Sequence, residues 1–138
     1  AIVKANGAAQ AFLADVSDPK HCEAQVAEAM DRFRKADNAS KPAAVGTLRA
    51  VRCSVTDVCT ARDACLASAE ATAKALLLKN EVEHGLSAVE KGNMSKDSAE
   101  ARTLGPKLEE AERLLAEGFA ALPACDDDII ALKRKYAF

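Results

Sequence analysis

Apolar residues recur at three- and four-residue steps through most of the chain, the spacing of helices that bury one face. A first short segment, Ala8 to Val16, ends at Ser17-Asp18-Pro19. Asp18 is a good N-cap and Pro19 a good first helical residue, so a helix is predicted to start there. It sets Cys22, Val26, Met30 and Phe33 on one stripe. Asp37 to Pro42 reads as a turn, and a second helix is expected from Pro42 to about Arg52. The β-branched residues Val55, Thr56 and Val58 mark either a kink or a fresh start capped by Ser54 or Thr56. From Asp57 to about Lys91 the pattern is strongly helical, with Leu66, Ala69, Ala73, Leu76, Leu77, Ala88 and Val89 recurring.

Gly92 to Ser95 forms the next turn, and a helix follows from near Ser95 or Asp97, interrupted or restarted at Gly105-Pro106. Leu108, Ala111, Leu115, Phe119 and Leu122 then make an apolar face, which Pro123 is expected to stop. A last helix is expected to start at Asp126-Asp127-Asp128 and close at Lys133-Arg134-Lys135, acids first and bases last as the helix dipole favours. No stretch alternates as a strand does. The fold class is therefore all-α: one domain over residues 1–138, an up-and-down bundle of about four main helices with short end segments.

Composition sharpens this picture. The chain has 138 residues, of which 31 are alanine, with no Trp and a single Tyr. Alanine favours helix and fills little space, which implies close helix packing. A net charge of −2 with both signs interspersed offers no footprint for nucleic acid. The longest apolar run, Ala75 to Leu78, is bracketed by Lys74 and Lys79, so the chain is not read as membrane-spanning. Ala1 in place of an initiator methionine marks either a removed leader or a trimmed chain.

The five cysteines carry the strongest chemical signal. Cys53, Cys59 and Cys65 stand at equal six-residue steps. On a helix each step turns by about 240° and climbs about 9 Å, so the three sulfurs face three directions and do not pair among themselves. The expected arrangement is two bridges, Cys22 and Cys125 each tied to this helix, with one thiol left over. Should the stretch unwind into a loop, Cys53 and Cys59 could close locally. The alternative is five buried thiols in a reducing compartment. Bridges are the preferred reading, and with them an exported or lumenal oxidising compartment. Zinc fits poorly: no Cys-x-x-Cys pair exists, and His21 and His84 have no ligand-spaced partner beyond Cys22.

Other candidates are weaker. Asn38-Ala39-Ser40 and Asn93-Met94-Ser95 match the glycosylation sequon in expected turns. Asp126 to Asp128 lack the alternation and distal Glu of a calcium loop and are read as helix capping. Lys133, Arg134, Lys135, Tyr136 and Phe138 form a basic end with two of the five aromatics, a candidate docking tail. His84 with Glu81 and Glu83 is read as a surface cluster whose members project to different sides. With no nucleophile elbow, phosphate loop or paired-carboxylate motif, neither catalytic nor cofactor-binding residues are assigned, and the chain is not read as an enzyme.

An alanine-rich helical bundle with short turns, over Pro19 to Leu122, resembles in format the PsbQ-like extrinsic four-helix proteins of the thylakoid lumen. That resemblance implies a non-catalytic subunit docking on the lumenal face of photosystem II. The three-cysteine stretch departs from the family. The expected function is thus an accessory or structural subunit of a larger protein assembly at a membrane surface; the alternatives are a small-ligand carrier and a secreted host-interaction protein.

Overall fold

The computed structural model describes residues 19–138, and their side chains from Ala24 onward. The segment Ala8 to Val16, the Asp18 cap and the side chains of His21 and Cys22 lie outside the described residues. Four helices and one isolated turn follow in order: α1 Pro19–Lys35, α2 Lys41–Arg49, α3 Thr56–Glu90, the single turn α4 Ala99–Arg102 and α5 Leu104–Tyr136. No strand occurs among the described residues. The four helices run up, down, up and down, the bundle the apolar spacing predicts.

Local chemistry sets the boundaries. The Asp37 carboxylate accepts the Ser40 N–H at 2.8 Å and opens the turn into α2, where Pro42 sits in the first turn. Val55 is extended (φ −118°, ψ 135°), so α3 starts only at Thr56, with Asp57 in its first turn. Gly92 at φ 79° ends α3 in the left-handed conformation, and the N–H groups of Asn93 and Met94 fold back onto the Ala88 carbonyl. The Ser98 hydroxyl accepts the Ala101 N–H at 3.1 Å to start α4.

The helices differ greatly in length. α3 has 35 residues and α5 has 33, about 50 Å each at 1.5 Å per residue. They form an antiparallel hairpin whose seam is built at seven-residue steps, Ala61, Ser68, Ala75 and Val82 on α3 against Leu104, Ala111, Gly118, Cys125 and Leu132 on α5, all buried. A seven-residue repeat keeps two helices facing each other along their length. The residues on it are small, so the backbones come close: a methyl group at Gly118 would lie 2.4 Å from Thr72 Oγ1.

The short helices α1 and α2 cover only one half of this hairpin. There Val26, Met30, Phe33, Val45 and Leu48 join Val58, Cys65, Cys125 and Leu132 in the main core. In the other half the buried residues are fewer: a small cluster of Ala75, Ala111 and Leu114, with Val82, Gly85 and Leu104 towards the hairpin turn. Among the described residues, one half is a four-helix bundle; the other is the α3–α5 hairpin with the α4 turn at its tip.

Pro123 does not stop a helix, and no separate helix begins at Asp126: α5 runs unbroken through both. Pro123 supplies no N–H to the carbonyl of Phe119, but both residues are exposed, and the buried seam continues in register from Gly118 to Cys125. The Asp126–Asp128 cluster therefore lies mid-helix instead of capping one.

Candidate functional site

The cysteines settle into two bridges: Cys125 ties to the three-cysteine stretch as expected, while the second bridge is the local Cys53–Cys59 closure instead of one to Cys22. Cys53 bonds to Cys59, with 5.3 Å between Cα atoms, and Cys65 bonds to Cys125, with 4.6 Å. Six-residue helical spacing fails for the first pair because Cys53 precedes the helix, in the extended segment ahead of Thr56. The expectation that Cys22 ties to α3 is corrected, since Cys53, Cys59 and Cys65 are all engaged by other partners. Two disulfides suit an oxidising, non-cytoplasmic compartment. Cys65 and Cys125 are fully buried and lock α3 to α5 within the main core.

The basic C-terminal end is not a free tail. Lys135 Nζ donates to Asp57 Oδ2 at 2.8 Å, and the Tyr136 hydroxyl donates toward the same carboxylate at 3.3 Å. The bond from Lys135 holds the Asp57 carboxyl below the usual range, with a smaller contribution from Tyr136. The Tyr136 ring packs on the main core, while Lys133, Arg134 and Phe138 remain exposed. Docking by the whole basic-aromatic set would first have to break the Asp57 contacts.

Several crevices mark the surface. At the hairpin turn, Glu81, His84, Gly85, Met94, Leu104 and Lys107 line an open depression of about 610 Å³. Glu81 and His84 share it, contrary to the expectation that they project apart, while Glu83 lines a different depression. Glu81 is already paired with Lys107 at 3.2 Å. Between α1 and α2, Gln25 lines a 380 Å³ crevice; it is 6% exposed and its amide has no hydrogen-bond partner, but both amide atoms are sealed from that crevice. Asn38 and Asn93 are exposed in turns. Among the described residues no cluster of three or more His, Cys, Asp and Glu side chains is placed to hold a metal ion, and no helix is long and apolar enough to cross a membrane.

The most distinctive surface lies along α5. The expected face of Leu108, Ala111, Leu115, Phe119 and Leu122 is not the buried one: only Ala111 belongs to the seam, Leu108 is exposed, and Phe119 is 78% exposed. The buried seam runs instead through Leu104, Ala111, Leu114, Gly118 and Cys125. Beside it stands a second seven-residue column, Leu108, Leu115, Leu122, Ile129 and Tyr136, apolar at every step. A third column, Glu112, Phe119, Asp126 and Lys133, flanks the second.

In the covered half these flanking columns meet α1. Ile129 and Lys133 line a crevice with Met30, Asp31 and Arg34, and Arg34 forms an ion pair with Asp126. Beyond Asp126 the chain leaves α5, because the turn after α1 lies beside Leu76, Leu77 and Glu83 of α3. Leu108, Glu112, Leu115 and Phe119 thus continue a surface that α1 covers lower down, with no helix over them among the described residues.

Comparison with protein-family models, curated proteins and solved structures finds no match to this chain. The α5 flank is consequently read from its own chemistry. Sequence spacing had marked its residues as an apolar face; that α1 stops short of them is a matter of helix length and packing.

Proposed function

We propose that this protein is a non-catalytic accessory subunit that works in an oxidising compartment by docking on a larger protein assembly through the upper flank of α5. The observation that carries this reading is the uncovered continuation of the α1 site, with Phe119 at 78% exposure and Leu108 exposed about three turns away on the same side of the helix. Contiguous apolar surface next to polar residues is characteristic of interaction sites on folded proteins. The disulfide-locked half supplies rigidity, and the two-helix half presents the surface. A PsbQ-like lumenal subunit of photosystem II is one instance of such a role, and its support is the format of the bundle.

The test compares the tagged protein with a Leu108→Asp, Phe119→Asp double variant, each purified gently from its natural host. The native protein is expected to migrate within a discrete assembly and the variant as a free chain of unchanged helicity. Migration of the native protein as a free chain would count against the docking reading.

A further inference from the structure

The covered half of α5 shows what kind of helix this flank accepts. α1 runs antiparallel to α5 and presents Ala27 and Met30 beside Ile129. Its charges answer the third column: Arg34 pairs with Asp126, and Asp31 shares a crevice with Lys133. The Asp31 carboxyl is held below its usual range by Lys35 first, and in smaller part by Arg34 and Lys133. Two heptads above Asp126, the same column carries Glu112, which is exposed and has no ion-pair partner among the described residues. The neighbouring bases are already engaged, Arg113 by Glu110 and Glu117 and Lys107 by Glu81.

We propose that the Leu108–Leu115–Phe119 flank of α5 receives an amphipathic helix of another protein, apolar along one stripe and carrying a Lys or Arg opposite Glu112. The claim rests on the docking reading above and adds the chemistry of the partner. From Leu108 to Leu122 the slot is about 21 Å long, or four helical turns. A second copy of this chain fits less well. On the flank side of this helix the charged residues between Lys107 and Glu117 are Glu109 and Glu112, both acidic, so paired flanks would repel. Like charges set face to face suppress a wrong partner, and opposite charges select the right one.

The probes are two fluorescent synthetic helices of about 18 residues, long enough to span the slot, with identical apolar stripes and flanks of either Lys or Glu. Binding to the intact, oxidised protein is read by fluorescence anisotropy at low and high salt. The Lys-flanked helix should bind saturably and about tenfold more tightly than the Glu-flanked one, a preference that shrinks with salt and reverses in Glu112→Lys. Phe119→Asp should abolish binding of both while leaving the circular dichroism unchanged. Equal affinity for the two probes, or a preference that Glu112→Lys fails to reverse, would overturn the basic-helix assignment while leaving the docking reading intact. A concentration-dependent dimer split by Leu115→Asp would assign the flank to a second copy and likewise overturn it. Failure of either probe to bind a protein whose natural assembly still depends on Phe119 would mean a partner that is not a helix. Absence of any natural assembly removes the docking reading itself.

Discussion

The Ser68 hydroxyl donates a hydrogen bond to the Gly118 carbonyl at 2.8 Å, buried in the seam between α3 and α5. The contact exists because Gly118 has no side chain: a Cβ there would meet Thr72 Oγ1 at 2.4 Å and the Ser68 carbonyl at 3.0 Å. One obstacle is the oxygen of a β-branched side chain and the other is backbone, so neither yields easily.

Gly118→Ala should therefore destabilise the protein by about 1–3 kcal/mol, although alanine is the better helix former. Gly46→Ala, in α2 with nothing within 4 Å of the added methyl, should instead stabilise by about 0.5–1 kcal/mol. Urea unfolding of both variants checks the opposite signs. A gain at Gly118 would mean the seam is looser than its geometry indicates.

The two disulfides should differ in weight. Cys65 and Cys125 are separated by 60 residues in sequence and Cys53 and Cys59 by 6. Loop-closure entropy assigns about 4 kcal/mol to the long bridge and about 2 to the short one. Paired Cys→Ala replacements, followed by denaturant melts, should show the larger loss for Cys65 with Cys125. Equal losses would place the stabilisation in native-state packing instead of chain entropy.

Exposure separates folding from docking on α5. Leu132 is 2% exposed and Phe119 is 78% exposed, and both lie on the same helix. Leu132→Ala should cost about 2–5 kcal/mol, while Phe119→Asp should stay within about 0.5 kcal/mol of the native protein. A melt of the second variant far below the native one would show that Phe119 is covered in solution.

Asp57 gives a pH signature. Its folded carboxyl lies below the ordinary value of 3.8, through Lys135 first. A depressed acid contributes stability that is present above its unfolded value and is lost as pH falls through its folded value, so the contribution disappears below about pH 4. Lys135 is raised above its ordinary 10.5, chiefly by Asp57, and its side of the pair is lost only as pH rises beyond that. The pair is largely solvent-exposed, so Asp57→Asn should lower Tm by about 2 °C at pH 7. The difference should shrink as pH is lowered below 3.8 and the carboxylate protonates. A Tm difference that does not shrink on acidification would assign the effect to packing of Tyr136.

The helices were legible because their causes are local. Pro42, the Gly92 turn and the three- and four-residue apolar spacing fix most boundaries within a few residues of where they fall. Pro123 misled because its effect depends on surroundings: on an exposed face, above a buried seam that stays in register, a proline is carried within the helix. The Cys53–Cys59 bridge turned on whether α3 starts before or after Thr56, a difference of one helical turn.

By itself the sequence determined the all-α class, the up-and-down order and the apolar columns of α5, since these follow from propensity and periodicity along the chain. Only the tertiary structure decided which column became the seam. Gly118 and Ala111 let the backbones approach closely there, so the larger Leu108, Leu115 and Phe119 were displaced to the flank. Helix length decided the rest: α1 and α2 together cover half of the α3–α5 hairpin, and the apolar flank remains where their reach ends.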